Sequence, residues 1–277
     1  MYYIKHQHTG VSVTHQRQEP NEFQSFIMHT HTTAELFYFV EGRAIYHIEG
    51  NSYRLEPGDI LLMRPSEAHY IEQDSTVPYE RIVIRFDTSL FGGLDPENTL
   101  LHPYFGREPG KRNLFRTSND EIFRRLIDNI VDTEDRLTAI ANLILLLQQI
   151  GVLFQNGNEA DHQPDTPEYK IIQYINRNLS KKLSIHQLCN HFFISRAQLC
   201  RMFERITGTS VGKYIRVKRM IVAQELLQQG KKPTEVYAAC GYQDYSTFYR
   251  AYLQYFGYSP KDIQQIKENQ QEQMDMV

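Results

Sequence analysis

Ser195-Arg196-Ala197-Gln198-Leu199-Cys200-Arg201-Met202-Phe203 and Asp244-Tyr245-Ser246-Thr247-Phe248-Tyr249-Arg250-Ala251-Tyr252 are two versions of one helical unit, 49 positions apart. A capping residue, an apolar residue, an arginine, an aromatic and a closing glycine recur in register: Ser195/Asp244, Leu199/Phe248, Arg201/Arg250, Phe203/Tyr252 and Gly208/Gly257. Apolar residues three to four apart place one stripe of each unit in a core. Ser or Asp just ahead of the stripe is the start signal of a helix. Two copies of a short helix, each turning an arginine outward, suit the reading of two places on DNA.

Working outward, Ser184-Ile185-His186-Gln187 and Ser195-Arg196-Ala197-Gln198 both fit the Ser-x-x-Gln capping box. Ser210 starts a long helix running to Gln228, with Tyr214, Val217, Ile221, Leu226 and Leu227 buried and Gly230 stopping it. Pro233-Thr234 opens another helix, Gly241 supplies the turn before Asp244, and Ser259-Pro260 restarts a last helix. These are helix-turn-helix signals, in which the second helix enters the major groove with its first residues against base edges. Burying Leu199, Met202 and Phe203 leaves Arg196, Ala197, Cys200 and Arg201 outward. Burying Phe248 and Tyr252 leaves Tyr245, Ser246, Tyr249 and Arg250 outward. Arg201 and Arg250, at equivalent positions, are read as base contacts, since arginine pairs bidentately with guanine. Lys181, Lys182, Arg205, Lys218, Arg219, Lys231 and Lys232 are assigned to phosphate or solvent.

Charge divides the chain the same way. Residues 1–166 carry 14 Lys and Arg against 24 Asp and Glu, whereas residues 167–277 carry 16 against 9. The basic half fits nucleic acid, and the acidic half fits self-association or a small molecule. Residues 1 to about 90 read as short strands with Gly, Pro and Asn turns: Glu35 to Val40, Ala44 to Ile48, Ser52 to Leu55, Ile60 to Met63 and Tyr79 to Phe86. That spacing predicts a sandwich or small barrel. Residues 90–117 read as loop. Residues 120–154 read as helix, with one stripe at Ile122, Leu126 and Ile130 and another at Leu137, Ile140, Ile144 and Leu147. The second of these helices is apolar over much of its girth, which suits burial on two sides, against the sheet and against a partner subunit or wholly within one monomer. The expected division is 1–155, a polar linker at 156–167, and 168–277.

Cys189, Cys200 and Cys240 form no CxxC pair and are read as reduced thiols of a cytoplasmic protein. No leading apolar run suggests a signal peptide, and the longest apolar run, Leu143 to Leu147, is far short of the roughly 20 residues of a membrane span.

Residues 184–264 resemble the DNA-binding domain of the AraC/XylS family of bacterial transcription regulators. The likeness runs through Leu188-Cys189, Ser195, Leu199, Arg201, Phe203, Thr207-Gly208, Tyr214 and Arg219, then Ala238, Cys240-Gly241-Tyr242, Phe248, Phe256-Gly257 and Ser259-Pro260. Val211 and Ile263-Gln264 depart from the family's pattern. The resemblance implies two helix-turn-helix units joined by the helix at 210–228. The first half resembles the family's cupin-like sensor: His29-Thr30-His31, Glu35 and Gly42 fit a first cupin motif, and Gly58, Pro65 and His69 a second that lacks its usual glycine. In metal-binding cupins the equivalents of His29, His31, Glu35 and His69 hold a divalent metal; no cofactor is required otherwise. In ligand-sensing members similar residues line an effector pocket, to which Phe37, Tyr38, Tyr46, Arg81 and Arg85 are candidates here.

The resulting expectation is an α+β multidomain chain: a cupin-like β-barrel with following helices, then an all-α double helix-turn-helix domain. Its function is read as sequence-specific DNA binding and transcription activation in response to a sugar or related metabolite. It is expected to act as a homodimer on promoter DNA, with RNA polymerase as partner if an activator, and not to be an enzyme. The alternatives are a metallo-cupin enzyme or metal sensor with a DNA-binding appendage, and a regulator whose cupin only dimerises.

Overall fold

The structure, a computed structural model, describes residues 2–8, 10–22, 28–117, 120–157, 159–160, 167–207 and 209–263. The chain divides into two compact units, Met1–Tyr169 and Lys170–Val277.

Among the described residues the first unit holds ten strands: β1 (Tyr2–His8), β2 (Val11–Gln18), β3 (Ala34–Glu41), β4 (Ala44–Ile48), β5 (Asn51–Arg54), β6 (Asp59–Met63), β7 (His69–Gln73), β8 (Tyr79–Phe86), β9 (Leu114–Arg116) and β10 (Glu159–Ala160). Seven form a sheet in the order β1-β2-β8-β3-β6-β9-β10, and three form a second in the order β5-β4-β7. Alternation along the strands builds two cores. Phe37, Phe39, Val83 and Leu61 meet Tyr46, Ile48, Tyr53 and Ile71 between the sheets. Leu36, Tyr38, Ile82, Ile84 and Phe86 face the other way, onto α1 (His102–Phe105), α2 (Glu121–Asp132) and α3 (Arg136–Gln155). Each predicted strand is present; β1, β2, β7, β9, β10 and the short helix α1 were not foreseen.

The predicted stripe on α3 is displaced. Leu137 is 72% exposed, and the buried face is Ala139, Leu143, Leu146, Leu147, Ile150 and Phe154. A helix apolar nearly all round carries too weak an asymmetry for its sequence to say which side is in. By length and composition α3 is also apolar enough to cross a membrane, with a mean hydropathy of 2.0, which the unbroken-run argument missed because Gln148, Gln149 and Asn142 interrupt the run.

One buried ion pair fastens the segment between α1 and β9 to the loop before β7. Arg107 reaches Glu67 with Nη1 at 2.7 Å and Nη2 at 2.8 Å, and both side chains are buried. Asn113 Nδ2 and the Gly110 amide also donate to the same carboxylate. Burial opposes ionisation of Glu67, but Arg107 outweighs it and brings the carboxyl down to about 2.

The second unit is helical: α4 (Pro167–Arg177), α5 (Ile185–Phe192), α6 (Arg196–Thr207), α7 (Val211–Gln228), α8 (Pro233–Ala239) and α9 (Tyr245–Phe256). Their starts follow the capping signals. Ser184 and Gln187 form a reciprocal capping box at α5, and Ser195 and Gln198 exchange the same two bonds at α6. Ser210 and Asp244 cap α7 and α9 through the amides of Lys213 and Thr247. Of the expected linker, residues 161–166 lie outside the described residues; residues 159–160 form β10 against β9 instead of coil. Gly208, Gln264 and most of the last predicted helix also lie outside them.

Candidate DNA-reading helices and effector site

Helix α6 buries Leu199 and Phe203 fully and Met202 in part. Its opposite face presents Arg196, Ala197, Cys200 and Arg201, all exposed, as expected from the repeat. Helix α9 buries Phe248 and Tyr252, so that Ser246 and Arg250 are exposed and Tyr245 and Tyr249 half-buried; these four residues line one shallow open depression. Each helix thus turns a guanidinium outward at its sixth residue, Arg201 or Arg250, in the N-terminal half of the helix. That is the part of a recognition helix that meets base edges.

Two of the cations assigned to phosphate do other work. Arg219 donates from Nε to the Leu179 carbonyl at 3.0 Å and from Nη2 to the Lys181 carbonyl at 2.7 Å, and its guanidinium lies 5.7 Å from the Tyr242 ring centroid. Lys218 is buried. Both project from the inner side of α7, which the stripe Tyr214, Ile221 and Leu227 defines. Cys240 is buried, and burial pushes its thiol up to about 12, whereas Cys200 is exposed and Cys189 half-buried.

In the first unit, the inner face of β8 is the one with Tyr79, Arg81, Val83 and Arg85. Register places Arg85 opposite Glu35 of β3, and Arg85 Nε donates to Glu35 Oε2 at 2.6 Å. Tyr46 OH donates to Glu35 Oε1 at 3.4 Å. His31 Nε2 stands 2.9 Å from Glu35 Oε2, and His69 Nε2 stands 3.9 Å from Oε1. Burial opposes ionisation of Glu35, but His31, His69 and Arg85 outweigh it and hold the carboxyl well below the usual range. Burial pushes the His69 imidazole down to about 3.

His29 reaches the same place from outside the strands. It is not on a strand; a reciprocal pair of 3.1 Å backbone bonds fastens it to His69, and its ring centroid lies 4.5 Å from that of His69. His29, His31, Glu35, Tyr46, His69 and Arg85 are therefore brought together. Tyr38 is not: it sits on the opposite face of β3, in the core beneath α2 and α3, because neighbours along a strand point to opposite sides.

Four polar residues of this interior gave no signal in the sequence. Gln16 and Gln18 of β2 are buried; Arg81 Nη2 donates to Gln16 at 3.1 Å, and Gln73 Nε2 to Gln18 at 2.8 Å. Tyr79 is buried beside them. The segment Met1 to Pro20 looked merely polar, and only its pairing with β8 turns these glutamines inward.

The donor chemistry fits a divalent metal. One ligand atom each from His31, Glu35 and His69 lie within 4.8 Å of one another. His31 Nδ1 is 2.8 Å from the Thr33 carbonyl and His69 Nδ1 is 2.7 Å from the Glu67 carbonyl. A carbonyl oxygen only accepts, so each Nδ1 carries a proton and each ring turns its Nε2 toward Glu35. Outer hydrogen bonds of this kind fix ligating histidines in metal sites.

Comparison with known proteins follows this geometry. Residues 11–150, half of the chain, match the model of the AraC-like ligand binding domain, and residues 188–266 match that of a helix-turn-helix domain. The chain belongs to the AraC/XylS family. This AraC-family regulator is similar to the HTH-type transcriptional activator RhaS of Escherichia fergusonii, 22% identical over 246 residues that cover 87% of the chain and 88% of that protein. It is also similar to the activator RhaR of Yersinia pseudotuberculosis, 22% identical over 272 residues covering 95% and 91%. Among solved structures, ToxT of Vibrio cholerae with bound unsaturated fatty acid is 15% identical, with a TM-score of 0.40, covering 91% of this chain and 94% of ToxT. The AraC-family chain is thus a DNA-binding transcription regulator with a ligand-binding first domain.

Proposed function

We propose that this regulator is a cytoplasmic homodimeric activator, without enzymatic activity, that recruits RNA polymerase at promoters and whose DNA binding responds to a polyhydroxylated metabolite, a sugar or sugar derivative, held around Glu35. The observation that carries this reading is a buried, ionised carboxylate flanked by Arg85, Tyr46 and two imidazoles between two sheets. Alternating donors and acceptors over apolar walls are what hydroxyl groups require. The activators among its relatives support the sense of the response. Self-association is supported by the outward stripe on α3: Leu137, Ala141, Leu145, Gln148 and Val152 are exposed at a spacing of three to four, which matches a coiled-coil seam.

A second reading is favoured by one observation, two imidazoles anchored through Nδ1 and one carboxylate whose ligand atoms lie within 4.8 Å of one another. In that case a divalent metal held by His31, Glu35 and His69, with His29 beside them, supplies a Lewis-acidic point for effector hydroxyls.

Both readings are tested on one preparation of the full chain, purified without tag or chelator. Metal content is measured, and DNA affinity is then titrated against a panel of sugars and sugar acids. The expected result is an effector that shifts DNA affinity at least about tenfold, a coupling of roughly 1–2 kcal/mol, and that loses its effect in Glu35→Gln. About one metal per chain, lost in His69→Ala, selects the metal-assisted reading. An effector response in metal-free protein selects the purely organic one. Unchanged DNA affinity across the panel leaves the regulator whose first domain only dimerises.

A further inference from the structure

Phe193 is the most exposed large apolar side chain among the described residues, at 94%. It ends α5 with φ +54°, in the left-handed region. Asn, Asp and Gly enter this region at low cost, and a bulky side chain does so rarely. Among the described residues it is the one apolar side chain with positive φ. The chain thus meets two costs at one position, backbone strain and an unburied ring. Residues held in this way mark places where something other than folding sets the residue type.

The internal repeat shows what folding alone asks for there. After α5, the Ile194 amide donates to the Cys189 carbonyl at 3.1 Å; after α8, the Tyr242 amide donates to the Tyr237 carbonyl at 3.0 Å. Both are bonds to the carbonyl five residues back, so the residue before each donor is equivalent: Phe193 in the first unit, Gly241 in the second. Gly241 has φ +79°, and a Cβ there would press on the Leu179 carbonyl and on the Arg219 guanidinium. The second turn has no room for a side chain. The first has room only outward, and a phenyl ring fills it.

Position and surroundings say what the ring meets. Phe193 lies two residues before Ser195, the start of α6, and so at the end of that helix which enters the groove. Among the exposed residues that follow it on α6 are two cations, Arg196 and Arg201. An apolar ring just ahead of a helix that turns cations outward complements DNA, whose groove edges offer the thymine methyl and the faces of the deoxyribose between charged phosphates. We propose that Phe193 is a DNA-contacting residue, packing against a thymine methyl group or its sugar at the edge of the groove read by α6. It makes the first unit's base preference extend beyond the face of the helix, which the second unit, with Gly241, lacks. This rests on α6 being a DNA-reading helix.

The test uses the full chain and DNA selected by it from a randomised duplex pool. Affinity for the selected duplex is measured for the wild type, Phe193→Gly, Phe193→Leu and Arg201→Ala, and on duplexes in which each thymine is replaced in turn by uracil, which removes only the methyl group. Phe193→Gly relieves the positive φ, so its thermal midpoint is expected to be no lower than that of the wild type. Its DNA affinity is expected to fall about tenfold, the scale of one lost base-pair preference. One thymine-to-uracil change should weaken the wild type by a similar factor and leave Phe193→Gly unmoved, and Phe193→Leu should retain part of the binding. Affinity of Phe193→Gly within twofold of wild type overturns the proposal and assigns the ring to another partner. A loss of affinity that no uracil duplex reproduces also overturns the methyl contact; equal losses on unselected duplex then leave a sequence-independent sugar contact. Arg201→Ala reports separately on α6: if it too binds like wild type, the helix assignment itself fails.

Discussion

Asp59 illustrates a buried carboxyl whose bonds offset only part of its desolvation. It accepts the Glu56 amide at 2.8 Å and lies 3.4 Å from Arg116, yet burial pushes its carboxyl up to about 6. The folded chain therefore holds this proton more tightly than the unfolded chain, whose aspartate titrates near 3.8. The sign follows: the group costs nothing below about pH 4, and its cost grows as pH rises to about 6 and then stays constant. Asp59→Asn keeps an acceptor for the Glu56 amide and removes the charge. Its unfolding free energy should match wild type near pH 4 and exceed it by about 1–2 kcal/mol at pH 7, measured by urea unfolding across that range. Single residues were unequally legible in the sequence. Arg201 and Arg250 stood out because the repeat aligned them. Glu35, His31 and His69 stood out through motif spacing. Gln16 and Gln18 were invisible, since a buried glutamine differs from an exposed one only by the strand it pairs with.

At the scale of elements, capping chemistry was the most dependable guide. Ser184, Ser195, Ser210 and Asp244 each start the helix they predicted, because a side-chain oxygen at that place satisfies amides that the helix itself leaves unpaired. The strands of the first unit were legible by alternation where one face is apolar. Strands β9 and β10 were not, being three and two residues long and fixed by pairing alone. Helix α3 shows the limit of periodicity, since its buried and exposed faces are both apolar. The exposed stripe is where a prediction belongs. Leu145→Glu places a charge on it without touching Leu143, Leu146 or Leu147. Sedimentation of the full chain should show a dimer for wild type and a monomer for Leu145→Glu, with the thermal midpoint of dilute monomer little changed. A dimer that survives the substitution assigns self-association to another surface.

At the scale of the whole molecule, the division at 169/170 separates an acidic unit from a basic one. A fragment of residues 167–277 should fold by itself and bind the duplex selected by the full chain. Its affinity should fall steeply with salt, as phosphate neutralisation requires, and should not answer to any effector. Full-length affinity that exceeds the fragment's by about tenfold or more is the measure of what pairing two chains adds. The two reading helices carry a last consequence. Arg196, Ala197, Cys200 and Arg201 on α6 and Tyr245, Ser246, Tyr249 and Arg250 on α9 are different vocabularies joined in a fixed order along one chain. A duplex read by them has a direction, like a sentence, and the same letters inverted spell something else. A palindrome is therefore neither needed nor enough. On the proposed reading, each bound chain points along the promoter, and turning its site around is expected to aim the regulator away from its gene.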